Sequence, residues 1–274
     1  MRRGKDAMDE PTFDREGVFD DDYLFFYRQF LTPERSAEEA GTIWRLLGLE
    51  PGREVLDLAC GHGRIANELA ARGARVTGRD ATPRFLDLAR QDAAGRGVTV
   101  DYVEGDMRRV PWRDRFDAVV NWFTSFGYFD DDGNREVLAA AFAALKPGGR
   151  LLVETMHKER LMQTFQPFVV HERDGAYLID RNRYEPLTGR LVSDRFIVRD
   201  GTVRQAPFFV RIFTYTELAG WFHEAGFATV DGYGRTGQPL TLDSNRMIVV
   251  GTKSTARIAE EVRPDSIEPG PYGR

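Results

Sequence analysis

Between Glu54 and Thr155 the chain alternates short apolar runs with longer stretches in which apolar residues return every three or four positions. The short runs, at 54–58, 75–78, 99–104, 116–122 and 149–155, predict strands, and the amphipathic stretches at 64–72, 83–94 and 132–145 predict helices. Such exchange implies an α/β fold: a doubly wound, mostly parallel sheet covered by helices on both faces. After Glu154 the rhythm changes. Strand-like runs follow one another, separated by "RDG", "EPLTG" and "RDG", which is turn chemistry for antiparallel hairpins. Helical spacing returns in "TYTELAGWFHEAG", followed by strands at 227–233 and 246–252. Upstream, Tyr23, Phe26, Tyr27 and Phe30 stand at the i, i+3, i+4, i+7 spacing of one helix face. The expected organisation is a mobile N-terminus and helical lid (1–40), a nucleotide-binding domain (41–155 with 215–253), an antiparallel β insertion (156–214) and a loose tail (254–274).

Composition narrows the partners. A net charge of −5 over 274 residues gives no general attraction to nucleic acid or acidic membranes. The basic residues are nearly all arginine and form no block, which fits codon usage better than a polyanion site. Cys60 is the sole cysteine, so neither an intrachain disulfide nor a cysteine zinc cluster can form. With no apolar leader and no run long enough to span a bilayer, a cytoplasmic protein without nucleic-acid or membrane partners is expected.

The candidate chemistry gathers at "VLDLACGHGRIANELAARG" (55–73), a glycine turn between the first strand and first helix. Such a turn brings backbone N–H groups and the positive end of a helix to a ligand. Gly61-His62-Gly63-Arg64-Ile65-Ala66 also fits a dinucleotide fingerprint. Asp57, at the strand tip, argues otherwise: it would repel a diphosphate but suits an ammonium or sulfonium. Asp80, 17 residues after Gly63, can accept hydrogen bonds from two ribose hydroxyls, as NAD sites also require. In "EGDMRRVPW", Asp106 is placed to accept from an adenine amino group, with Met107 against the ring.

Taken together, "VLDLACGHG", "GRD", "EGDM", "FDAVVNWF" and "LKPGGRLLVE" resemble, in order and spacing, the class I S-adenosylmethionine-dependent methyltransferases over about residues 40–155. The resemblance implies a seven-stranded sheet with an antiparallel last strand and S-adenosylmethionine as cofactor. It implies that Asp57, Ala59, Gly61 and Gly63 line the methionine part, Asp80 holds the ribose, Asp106 and Met107 hold adenine, and Asn121 approaches the sulfonium. Ala59 stands where the family often has glycine, which a negative φ at that position would accommodate.

A sulfonium methyl is already activated, so the protein must chiefly align the acceptor and exclude water. Aromatic rings suit such a site, with Tyr23, Tyr27 and Phe126 as candidates. His157 is the best-placed base among four histidines; His62 is read as a loop residue, and His171 and His223 lie away from every motif. Asp130, Asp131 and Asp132 read as a helix N-terminus rather than a metal site, and Arg181, Arg183 and Arg211 as ion pairs rather than substrate contacts. The β insertion resembles that of small-molecule methyltransferases of bacterial natural-product pathways, and would wall the pocket or pair subunits in a homo-oligomer. Without an Asn/Asp-Pro-Pro-aromatic run after the fourth strand, the expected acceptor is a small molecule, and a nitrogen because no strong base or metal site stands out. The competing readings are O-methylation with His157 as base, a non-catalytic S-adenosylmethionine-binding protein, and an NAD-dependent oxidoreductase.

Overall fold

The computed structural model describes residues 13–255. The expected tail of 254–274 and the first part of the expected mobile N-terminus thus lie mostly outside the described residues. Three helices come first: α1 (Arg15–Val18), α2 (Asp21–Tyr27) and α3 (Pro33–Leu47). An alternating set follows: β1 (Glu54–Leu58), α4 (Arg64–Ala71), β2 (Arg75–Asp80), α5 (Pro83–Arg96), β3 (Val100–Glu104), β4 (Phe116–Asn121), α6 (Asp131–Ala144) and β5 (Leu145–Met156). Then come α7 (Lys158–Gln163), five strands β6 (Phe168–Arg173), β7 (Ala176–Glu185), β8 (Arg190–Arg199), β9 (Thr202–Gln205) and β10 (Phe208–Arg211), and finally α8 (Tyr215–Glu224), β11 (Phe227–Tyr233) and β12 (Arg246–Lys253).

Seven strands form one sheet in the order β11-β12-β5-β4-β1-β2-β3, with β12 antiparallel to both neighbours and β1 to β5 parallel. Its central strands are buried on both faces, as their unbroken apolar runs require. One face packs against α3, α4 and α5 through Ile43, Leu69 and Leu86, the other against α6 and α8 through Leu138, Leu218 and Phe222. Strand order reverses between β1 and β4, and open α/β sheets bind ligands in the crevice at that reversal.

The second sheet, β10-β8-β7-β6 with β9 on β8, is wholly antiparallel. Its hairpins close on Asp174-Gly175 and Asp200-Gly201, all four residues having φ between 50° and 76°, as a tight two-residue turn demands. Part of its inner face is apolar: Leu178, Ile197 and Phe208 pack with Val18 and Phe26. The aromatic face expected across 23–30 is divided. α2 ends at Tyr27, Phe26 is buried against the second sheet, and Phe30 lies beyond the helix at 41% exposure. No described helix is long and apolar enough to cross a membrane.

Candidate active site

A cavity of about 620 Å³ opens between the sheet reversal, the first two helices and the inner face of the second sheet. One end is walled by Asp57, Ala59, Gly61, Asp80, Asp106 and Met107, and the other by Tyr27, Tyr128, His171, Asp180, Asn182 and Arg195.

The turn after β1 is left-handed at three positions, Ala59 (φ 61°), Gly61 (φ 54°) and Gly63 (φ 80°). The negative φ expected at Ala59 is therefore incorrect. The residue takes the strained conformation that a glycine would adopt freely, held by its N–H donating to the Arg79 carbonyl at 2.7 Å. α4 begins without a side-chain cap, so its first N–H groups are not taken up by Gly63. Asp80 supports the turn from β2, accepting from Gly61 N and Thr82 N at 2.8 Å each. Burial raises its pKa, against the pull of those two N–H groups. Asp57 is 2% exposed, and its pKa is pushed up to about 7 by burial, opposed by Arg64 and reinforced by Asp80. Its Oδ2 is buried with no hydrogen-bond partner. An orphaned carboxylate oxygen on a cavity wall fits a cationic ligand group there. Cys60 also faces the cavity, and burial lifts its thiol well above the usual range, leaving a poor nucleophile.

At the far end, Arg195 and Asp180 are register partners on β8 and β7 and form a buried bidentate pair at 2.7 and 2.8 Å. Arg195 also donates to the Tyr27 hydroxyl at 3.1 Å, and Tyr27 stacks on Tyr23 with ring centroids 4.7 Å apart. Tyr23 and Tyr128 are half-buried, and desolvation of their phenols raises both pKa values, so they stay neutral. His171, on β6, sits 5.8 Å from the Tyr27 ring with no hydrogen-bond partner among the described residues, and burial lowers its pKa. His62 is likewise held neutral, its pKa lowered to about 4 chiefly by burial. Sequence reasoning passed over His171, Asp180, Asn182 and Arg195. Their signal is the period of two: on β7 the buried face is Ala176, Leu178, Asp180, and on β8 it is Leu191, Ser193, Arg195, Ile197.

A methyltransferase domain family matches residues 55–149. Demethylmenaquinone methyltransferase of Thermus thermophilus is 33% identical over 180 residues, 64% of this chain and 74% of that protein. The chain belongs to the S-adenosylmethionine-dependent methyltransferases. A second demethylmenaquinone methyltransferase, from Deinococcus radiodurans, is 40% identical over 104 residues, a match spanning 37% of this chain and only 42% of that protein. An amino pentose methyltransferase from Micromonospora echinaspora, solved with S-adenosylmethionine bound, superposes with a TM-score of 0.64 at 23% identity, covering 87% of this chain and 99% of that one. That likeness establishes the fold.

The structure of this methyltransferase divides the residues expected to hold cofactor. Tyr23, Asp57, Ala59, Gly61, Asp80, Asp106 and Met107 line the cavity, while Gly63 and Asn121 do not. A Cβ at Gly63 would lie 2.2 Å from the Tyr102 hydroxyl and 2.6 Å from Ala89 Cβ, so this glycine is required for close packing behind the turn. Asn121 is buried behind the wall, donating to the Leu58 carbonyl at 2.9 Å and meeting Met107 Sδ at 3.8 Å. Asp106 lines the cavity but is already paired with Arg108 at 2.6 Å, whose guanidinium covers the Phe129 ring at 4.2 Å.

Two expected catalytic residues are displaced. Phe126 is fully buried in the core beside Phe213, because the loop after β4 turns it inward. His157 is buried off the cavity: β5 runs to Met156, and a bridge to Phe213 draws the next residue away. Its Nδ1 lies 2.8 Å from the Ser244 carbonyl and its Nε2 3.1 Å from Glu159, and the residue does not line the cavity. Asp130 caps α6 by accepting from Gly133 N, while Asp131 meets Arg190 and Arg211. Arg181 and Arg183 pair with Asp194 and Glu185.

Proposed function

We propose that this protein methylates an amine nitrogen of a small molecule bound between Tyr27, Tyr128 and the second sheet. The observation that carries this reading is a continuous cavity that joins the acidic glycine-turn end to an aromatic end containing a neutral imidazole. When bound at the turn, S-adenosylmethionine supplies an activated methyl group. Asp57 and Asp80 are the groups suited to its ammonium and ribose hydroxyls. Tyr23, Tyr27 and Tyr128 exclude water and face a developing or departing cation with their rings.

Nitrogen is favoured over oxygen by the charge balance of the acceptor end. The desolvation that lowers the pKa of His171 also lowers that of a buried ammonium, freeing the lone pair that must attack. His171, neutral and without a hydrogen-bond partner among the described residues, can then accept the proton that the methylated amine sheds and pass it on to solvent. A phenol or quinol acceptor, by contrast, needs a cation to stabilise its oxyanion. The charge of Arg195 is already committed to Asp180 and to the Tyr27 hydroxyl. The relatives from Thermus and Deinococcus are named for demethylmenaquinone, whereas the Micromonospora enzyme is named for an amino pentose. Transfer of labelled methyl to a panel of amino sugars, other small amines, phenols and quinols tests this. The expected result is an N-methylated product; label on oxygen or ring carbon alone contradicts the proposal.

A further inference from the structure

Among the described residues, two charged side chains on the cavity wall each leave one buried polar atom without a partner: Asp57 through Oδ2 and Arg64 through Nη2. They carry opposite charges and stand on either side of the glycine turn. Arg64 is the first residue of α4 and is 9% exposed. Its other arm is fixed, Nη1 donating to Glu39 Oε2 at 2.6 Å, while its guanidinium faces the Phe123 ring at 5.0 Å. Glu39, on α3, is also buried and accepts from Arg35 Nε at 2.8 Å and Trp122 Nε1 at 2.9 Å. Its carboxylate therefore sets the orientation of Arg64 and, through Trp122, ties α4 to the loop after β4. In that loop Phe123 and Thr124 both take positive φ, 64° and 57°. A guanidinium held in this way, with one buried arm unpaired, is costly unless a ligand accepts its hydrogen bond.

A zwitterion has the charges that these two atoms lack. Building on the reading of the cavity as the S-adenosylmethionine site, we infer that Arg64 Nη2 donates to the carboxylate of the cofactor's amino-acid tail while Asp57 faces its ammonium, with Glu39 as the residue that positions Arg64. The site then selects an intact zwitterionic tail, and Arg64 is the determinant against a cofactor lacking the carboxylate.

The test is titration calorimetry of the full chain with three ligands: S-adenosylmethionine, its decarboxylated form, and 5′-methylthioadenosine, which has no tail. One charge-assisted hydrogen bond predicts that the wild type prefers S-adenosylmethionine to the decarboxylated form by about 10- to 100-fold. Arg64→Met should bring the two within about threefold of each other while leaving 5′-methylthioadenosine affinity within about twofold of wild type. That last ligand reports whether the rest of the site is intact. If Arg64→Met does not fold, Arg64→Lys serves, because a point charge cannot hold Glu39 and the carboxylate with the same forked geometry, and the preference should fall at least about threefold. Retention of the full preference in either folded variant overturns the role of Arg64, as does a wild type with no preference. Failure of the wild type to bind S-adenosylmethionine at all overturns the cofactor reading beneath it.

Discussion

The raised pKa of Asp57 makes cofactor affinity a function of pH in a direction the structure fixes. Burial brings this carboxyl to about 7 in the unliganded protein, so near neutrality it is only partly ionised. An ammonium tail needs the ionised form, and the apparent dissociation constant therefore scales with the inverse of the ionised fraction. Between about pH 6 and about pH 7.5 that fraction rises from roughly one in eleven to roughly three in four, so affinity should increase about eightfold, equivalent to about 1.2 kcal/mol. Calorimetry with S-adenosylmethionine across this range measures the effect, and 5′-methylthioadenosine should show little of it. Asp57→Asn should bind more weakly at the upper end and lose most of the slope, because Asp80 and the two cavity histidines remain. Stability of the unliganded protein supplies an independent sign check. The native carboxyl keeps its proton where the unfolded one, near its ordinary 3.8, has lost it. Its contribution is therefore fully present below about pH 4 and lost as pH rises through about 7, a loss absent from Asp57→Asn. A flat affinity profile, or an equal slope with the tail-less nucleoside, would refute the reasoning.

Gly63→Ala should destabilise the fold by about 2–5 kcal/mol, adding the strain of a positive φ to overlap with Tyr102 and Ala89. At this chain length thermal denaturation should register a fall of roughly 5–15 °C; an unchanged midpoint would contradict the packing role. His171→Asn should lower kcat by about a hundredfold and remove the acid limb of the pH–rate profile, which in the wild type lies below the usual histidine range. His157→Asn should leave kcat within about twofold while weakening the link to Ser244, and steady-state rates together with a melting curve separate the two effects.

The sheet was legible because its central strands are buried on both faces and its helices on one, so hydrophobic period and burial coincide. The glycine turn was legible for a different reason: φ values of 54° and 80° at Gly61 and Gly63 leave little choice of residue. Ala59 shows the limit of that argument, since an alanine occupies the same left-handed region where its neighbours pin the backbone. The acceptor end was harder to read because β6 inverts the usual pattern. Its apolar Phe168 and Val170 face outward, while Val169 and His171 face the cavity. A lone histidine in such a strand carries no local mark of function. Only the register that sets Val169 opposite Asp180, and Asp180 opposite Arg195, brings these residues to one wall. Phe126 and His157 erred in the opposite sense. Both lie close in sequence to cavity-lining residues, but the chain direction after β4 and β5 turns them into the core.

The central claim is that opposite ends of one cavity receive the cofactor and its acceptor. A crystal structure with bound S-adenosylhomocysteine tests it most directly. The account predicts the amino nitrogen within hydrogen-bond distance of Asp57 Oδ2, the ribose hydroxyls at Asp80, and the sulfur directed toward Tyr27 and the second sheet. A tail directed at His171, with the ribose away from Asp80, would contradict it.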